Sequence, residues 1–169
     1  MSEKREYHGA SLSSFVLALG HSQSLVQKIL HDAGVERIDR ERWYDFDLAI
    51  GIYRRIADQV GRGAVIAVGK KIIESAEFPP GIDDVKTLLC SLGAAYHLNT
   101  RGPDVGEIFC TIEDDHSATL EWSAGGPCAL NFGIIEGCCA RYGVKALVEH
   151  GAGGCMEKGA PACIYHVSW

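Results

Sequence analysis

A chain of 169 residues, 47% hydrophobic and 22% charged, has room for one domain whose core needs no covalent staples. Its net charge of −6 argues against non-specific binding to nucleic acid or anionic membranes, and no apolar run is long enough to span a bilayer. "MSEKREYHGASLSSF" at the N-terminus lacks a signal-peptide pattern, so a cytoplasmic location is expected; there, seven cysteines read as thiols, ligands or packing residues rather than a disulfide framework.

The first hundred residues read as helices. "LSSFVLALG" is a short apolar segment ending at Gly20. "SQSLVQKILHDAG" follows, with Ser22 or Ser24 as N-cap, Gly34 as stop and Leu25, Val26, Ile29 and Leu30 on one face. "ERIDRERWYD" is a charged connection, and Asp45 is placed to cap "FDLAIGIYRRIADQVG", where Leu48, Ile52, Ile56 and Val60 recur every four residues. "GAVIAVGKKIIESAEF" is another helix, straight or kinked near Gly69, and "FPPG" breaks it. "DDVKTLLCSLGAAYHLNT" is helical from Asp83 or Asp84.

Beyond Arg101-Gly102-Pro103 the period changes. "GEIFCTIEDDHSATLEWS" predicts two strands joined at Asp114-Asp115. "GGPCALNFGIIEGCCARYG" predicts a helix with Pro127 in its first turn and Gly143 at its end. "VKALVEHGAGGCMEKGAPACIYHVSW" predicts strand, turn and strand. The expected fold is α+β in a single domain, 1–169: a helical half, 1–100, packed on an antiparallel sheet of two hairpins with an intervening helix, the β-β-α-β-β half, 106–169.

If the terminal turn centres on Gly159, Cys155 and Cys163 are cross-strand partners with Cβ atoms roughly 4.5–5.5 Å apart, close enough to chelate one soft cation. Cys128, in the first turn of its helix, sits where the dipole favours a thiolate. A fourth ligand would be a carboxylate or histidine; Glu107 and Glu121 lie on the two preceding strands, and His150 and His166 on the strands of the last hairpin. The plainer alternative is that all three cysteines are buried packing residues. Cys138 and Cys139 are adjacent in a helix and point about 100° apart, which disfavours joint binding of one ion. Cys90 and Cys110 carry no partner pattern.

Gly133 and Gly137, four apart in one helix, admit close approach of another element or line a ligand pocket. Trp43 and Tyr44 are candidates for the same pocket, or core. His97, at a helix end, is either a capping cation or a metal or haem ligand; with His150 and His166 it completes the set of candidate axial histidines. "GAGG" at 151–154 lacks the strand–helix context of a dinucleotide loop, and with no nucleophile–base motif no catalytic residue is assigned.

The stretch "GPCALNFGIIEGCCARYGVKALVEHGAGGCMEKGAPACIYHVSW" resembles the 4-vinyl reductase domain family, in which a Cys is followed by Gly at plus five and plus nine and by a final C-x7-C hairpin. These positions are Cys128, Gly133, Gly137, Cys155 and Cys163. The resemblance implies a superfamily shared with TRAPP-subunit-like and haem-NO-binding-like proteins. It also implies a three-cysteine, one-glutamate zinc site beside a buried pocket; the matching glutamate is missing from "WSAGGPC". The function expected from it is a small-molecule-binding sensor, a homodimer speaking to a separate signalling protein, with zinc as cofactor. The alternatives are a haem- or tetrapyrrole-binding protein and a non-catalytic dimeric scaffold.

Overall fold

The computed structural model describes residues 4–169. The helical half contains β1 (Glu6–His8), α1 (Gly9–Leu12), α2 (Ser14–Leu19), α3 (Gln23–Asp32), β2 (Trp43–Asp45), α4 (Phe46–Gln59), α5 (Arg62–Ser75), α6 (Val85–Asn99) and β3 (Thr100–Arg101). The second half contains β4 (Ile108–Asp114), β5 (Ser117–Trp122), α7 (Cys128–Arg141), β6 (Leu147–His150), a 3-10 turn (Met156–Lys158) and β7 (Cys163–Ser168). The fold is α+β, with the expected β-β-α-β-β order in its second half.

Local chemistry explains where the long helices begin and end. Asp45 Oδ1 accepts from Leu48 N at 2.9 Å and opens α4. At α6 the Asp84 carboxylate accepts from Thr87 N at 2.7 Å while Thr87 Oγ1 accepts from Asp84 N at 3.1 Å, a reciprocal box that satisfies two otherwise free donors. α7 begins directly after Pro127. It closes where Gly143, at φ +72°, lets Gly143 N reach Ala140 O and Val144 N reach Cys139 O.

α5 runs unbroken through Gly69, and the reason for glycine there is proximity. A Cβ on Gly69 would lie 2.3 Å from Leu130 O, and one on Gly133 would lie 2.1 Å from Ile66 O. α5 and α7 therefore touch backbone to backbone, with Lys70 and Glu136 paired at 2.8 Å beside the contact. This pair is the spine of the molecule: the helical half packs on α5, the sheet half on α7.

The larger sheet has the order β4-β5-β7-β6, all antiparallel. Leu120, Trp122, Tyr165 and Val167 alternate onto its buried face, whereas Glu121 and His166 alternate outward. α6 lies against edge strand β4; a Cβ on Gly93 would meet Ile108 O at 2.4 Å, and Tyr96 Oη donates to Val105 O at 2.5 Å.

The structure departs from the sequence reading in four places. A second sheet, β2-β1-β3, is assembled from segments of two or three residues, one of them inside the stretch read as a charged connection. Such segments are too short to carry a period and exist only through their partners. The first helical segment starts at Gly9 and is split at Ser13, whose hydroxyl donates to Ala10 O and accepts from Arg40 Nη1. On α4 the buried stripe is Phe46, Ala49, Ile50, Ile52, Tyr53 and Ile56, and Val60 is exposed past its end. Finally, Cys155 is not on a strand. Residues 151–162 form a folded loop containing the 3-10 turn, and the cross-strand partner of Cys163 is Trp122.

Candidate metal centre and internal cavity

Three segments converge at the N-terminus of α7. Cys128 is the first residue of that helix, Cys163 the first of β7, His150 the last of β6, and Cys155 lies in the loop between the strands. The Cys128 Sγ lies 3.3 Å from Cys155 Sγ and 3.6 Å from Cys163 Sγ. With the His150 ring, all four ligand atoms lie within 4.8 Å of one another, the one such group among the described residues. Four donors on a tetrahedral ion with bonds of about 2.3 Å would be separated by about 3.8 Å, so the cluster already has nearly the size that a zinc-type ion needs.

His150 supplies the most telling atom. Its Nδ1 lies 3.2 Å from Gly151 O, and its Nε2 is buried without a hydrogen-bond partner. A buried imidazole nitrogen with no partner costs free energy unless something occupies it. A backbone carbonyl on one nitrogen, with the other free, is also the arrangement that orients a metal-bound histidine. The loop supports the cysteines: Met156 N donates to Cys163 Sγ at 3.3 Å, and Glu157 Oε1 accepts from Cys128 N at 2.9 Å. Burial, followed by the hydrogen bond to Cys155, pushes the Cys128 thiol well up. At Cys155 burial also pushes upward, but hydrogen bonds from Cys128 and the Glu157 backbone outweigh it and the net direction is down. Three thiolates packed this closely repel one another unless a cation sits among them.

The other candidate residues stand apart from this group. Glu107 Oε2 pairs with His97 Nε2 at 2.7 Å on the surface, next to α6 and β4. Glu121 points outward from β5, and His166, outward on β7, lies 3.1 Å from Thr119 Oγ1. Gly133 and Gly137 face α5. Trp43 and Tyr44 border a surface groove near Glu36 and Arg42, and Tyr44 Oη accepts from Asp39 N at 2.7 Å. In the sequence, His150-x4-Cys155-x7-Cys163 is the spacing that carries the imidazole to the cysteines, and it becomes readable only once the loop is known to fold back.

A separate cavity of about 40 Å³ lies where the two halves meet. α5, α6 and α7 wall it with aliphatic side chains, and Tyr7, Ser11, Tyr96, Asn99, Trp122 and Asn131 bring polar groups to it. Tyr7 Oη and Ser11 Oγ are mutually bonded at 3.0 Å. Trp122 Nε1 and Asn131 Oδ1 are buried with no partner, one donor and one acceptor. Tyr165 lies between Asn131 and the cluster: Asn131 Nδ2 donates to Tyr165 Oη at 3.1 Å, and the Tyr165 ring stands 5.0 Å from the His150 ring, edge to face.

The architecture defines a class. Solved structures similar to this chain include an H-NOX protein from S. oneidensis in the Fe(II)NO ligation state, with a TM-score of 0.71, 16% identity and coverage of 95% of this chain and 98% of that one. A structure described as probing the function of heme distortion in the H-NOX family has a TM-score of 0.72, 14% identity and coverage of 95% and 94%. An oxygen binding H-NOX domain related to soluble guanylate cyclases, in its oxygen complex, has a TM-score of 0.65, 14% identity and coverage of 95% and 91%. No family model matches the chain, and no curated protein matches it in sequence. At these identities the likeness defines the fold, which is that of H-NOX domains over nearly the whole chain. It corrects the resemblance to the 4-vinyl reductase family: of the superfamily that resemblance named, the haem-NO-binding branch is the one this fold matches.

Proposed function

We propose that this chain is a small-molecule-responsive sensor domain in which the central cavity receives the ligand and Cys128, His150, Cys155 and Cys163 hold one zinc-type ion. The observation that carries the metal assignment is the His150 imidazole within 4.8 Å of three thiols, on a ring whose Nε2 is buried without a partner. Thiolate and imidazole donors favour zinc over oxygen-seeking cations such as magnesium or calcium. Four protein donors fill a tetrahedral shell and leave no position for a reactive water, so the ion's role is to brace the fold. It would tie β6, the 151–162 loop and β7 to the N-terminus of α7. The ligand reading is supported by Trp122 Nε1 and Asn131 Oδ1, an unpaired donor and an unpaired acceptor on the lining that a molecule of a few heavy atoms could satisfy.

A second reading, haem, is favoured by the fold, since the similar H-NOX structures include ones described by their haem distortion and redox potential. Haem iron needs an axial donor facing the ring. Among the described residues no histidine or cysteine lines the cavity, and the hydroxyls of Tyr7 and Tyr96 are hydrogen-bonded and held protonated by burial. His97, next to Tyr96 in the chain, is turned to Glu107 at the surface. As arranged, these residues do not fit a haem.

Metal analysis and a visible spectrum of freshly purified protein, before and after addition of hemin, separate the readings. The expected result is about one zinc per chain and no band near about 400 nm. Protein with full occupancy of its fold and no bound metal would overturn the centre. A sharp band of that kind, stoichiometric with the chain, would replace the small-ligand cavity with a haem site.

A further inference from the structure

Two cysteines outside the metal centre also meet. Cys90 is exposed on α6, Cys110 is half-buried on edge strand β4, and their Sγ atoms are 2.8 Å apart across a separation of 20 residues. We infer that Cys90 and Cys110 form a redox-active dithiol, the site at which a low-molecular-weight disulfide oxidises this domain. The pair does not belong to a metal set, because the one group of three or more ligand-type side chains among the described residues is the one at Cys128. A disulfide requires the sulfurs to close to about 2.05 Å, a small movement from where they stand. The two backbones are held in place next to the pair by the contact at Gly93 and the Tyr96–Val105 hydrogen bond.

The two thiols divide the labour. Cys90 faces solvent and can meet the oxidant. Cys110 lies behind it, and burial, followed by the hydrogen bond to and charge of Cys90, pushes its thiol well up, so it keeps its proton while Cys90 is free. In the first step the Cys90 thiolate attacks one sulfur of the small disulfide; the Cys90–S bond forms, the S–S bond breaks, and one small thiol leaves with a proton from solvent. Cys90 Sγ, now joined to the small thiol, is the electrophile beside Cys110 Sγ. Cys110 loses its proton to solvent and attacks Cys90 Sγ, expelling the second small thiol. Two protein thiols are oxidised and one small disulfide is reduced to two thiols, a two-electron exchange. The new bond staples α6 to β4, both of which contribute to the cavity wall through Leu92, Ala95 and Ile108. Cys138 and Cys139 are buried in α7, and burial pushes the Cys139 thiol to about 11, while Cys128, Cys155 and Cys163 face one another in the other cluster.

The test uses the full chain equilibrated in glutathione buffers of rising oxidised fraction, acid-quenched, alkylated and mapped by mass spectrometry. The expected result is a Cys90–Cys110 cross-linked peptide, lighter by about 2 Da than the two reduced peptides together, appearing with a two-electron slope. The oxidised chain should also melt roughly 5–10 °C higher than the reduced chain. Cys110→Ser should trap glutathione on Cys90, an adduct of about 305 Da, and Cys90→Ser should abolish both products. Separate alkylation of Cys90 and Cys110 at the oxidising end would overturn the proposal, as would glutathione persisting on Cys90 in the unmodified sequence. The wild-type map decides the matter even if a variant folds poorly.

Discussion

The Cys128 cluster and the cavity grow from the same helix, yet they are built on opposite principles. Cys128 and Asn131 are three residues apart on α7, one facing the cysteines and the other the cavity, with Tyr165 between them. The cluster gathers thiol and imidazole donors from four segments, α7, β6, the loop and β7, and a single cation would satisfy all of them at once. The cavity is walled mainly by aliphatic side chains from both halves, and among the described residues two polar side-chain atoms of its lining, Trp122 Nε1 and Asn131 Oδ1, are buried without a partner. Order in the first depends on a loop of residues 151–162 that has little apolar burial of its own. Order in the second depends on helix packing that needs no ligand. A domain made this way can hold one end rigid while the other remains adaptable.

The largest effect that would expose this difference comes from Cys163→Ser. Zinc content should fall from about one per chain to near none, with a loss of several kcal/mol of stability, read by metal analysis and thermal unfolding. Zinc retained at wild-type level would remove Cys163 from the centre. Gly133→Ala tests the element the two regions share. Its Cβ would lie 2.1 Å from Ile66 O, a backbone atom that cannot step aside, so α5 and α7 must separate at a cost of roughly 1–3 kcal/mol. Gly137→Ala should cost less, because its Cβ would meet the Ile73 side chain at 2.9 Å and the Lys70 backbone no closer than 3.1 Å, against 2.1 Å to Ile66 O at Gly133. Equal losses from the two, measured by denaturant unfolding, would contradict the backbone-contact account.

Asn131→Leu is the finest cut. It removes the cavity's acceptor and the donor to Tyr165 Oη, with an expected loss of about 1–3 kcal/mol and unchanged zinc content. Loss of zinc in this variant would mean that the two regions are not separable and that Tyr165 transmits between them.

Much of the fold was legible because it is local. α4 and α6 announce themselves by their Asp caps and apolar spacing, β4 and β5 by alternation, and α7 by Pro127 and Gly143. The small sheet was not legible, since Glu6–His8 and Thr100–Arg101 become strands only by meeting across more than ninety residues. The three cysteines of the cluster stand out by residue type and position, although Cys155 and Cys163 are not the cross-strand partners that a turn at Gly159 would make them, because the 151–162 segment folds back as a loop. His150 stood in the sequence as one of several candidates for the fourth ligand, beside Glu107, Glu121 and His166, and nothing along the chain singled it out. Cys90 and Cys110, one on a helix and the other on a strand, shared no spacing that could link them.

What the sequence by itself determined is therefore the set of pieces and their chemistry: an α+β order, glycines where helices must touch, and thiols and imidazoles enough for a soft cation. These are properties of near neighbours along the chain, where periodicity and capping operate. Which donors converge, which histidine faces inward and how much space remains between the halves were decided only in three dimensions. Each depends on contacts between segments far apart in the chain, and side-chain direction on a strand or in a loop reverses with a one-residue change of register.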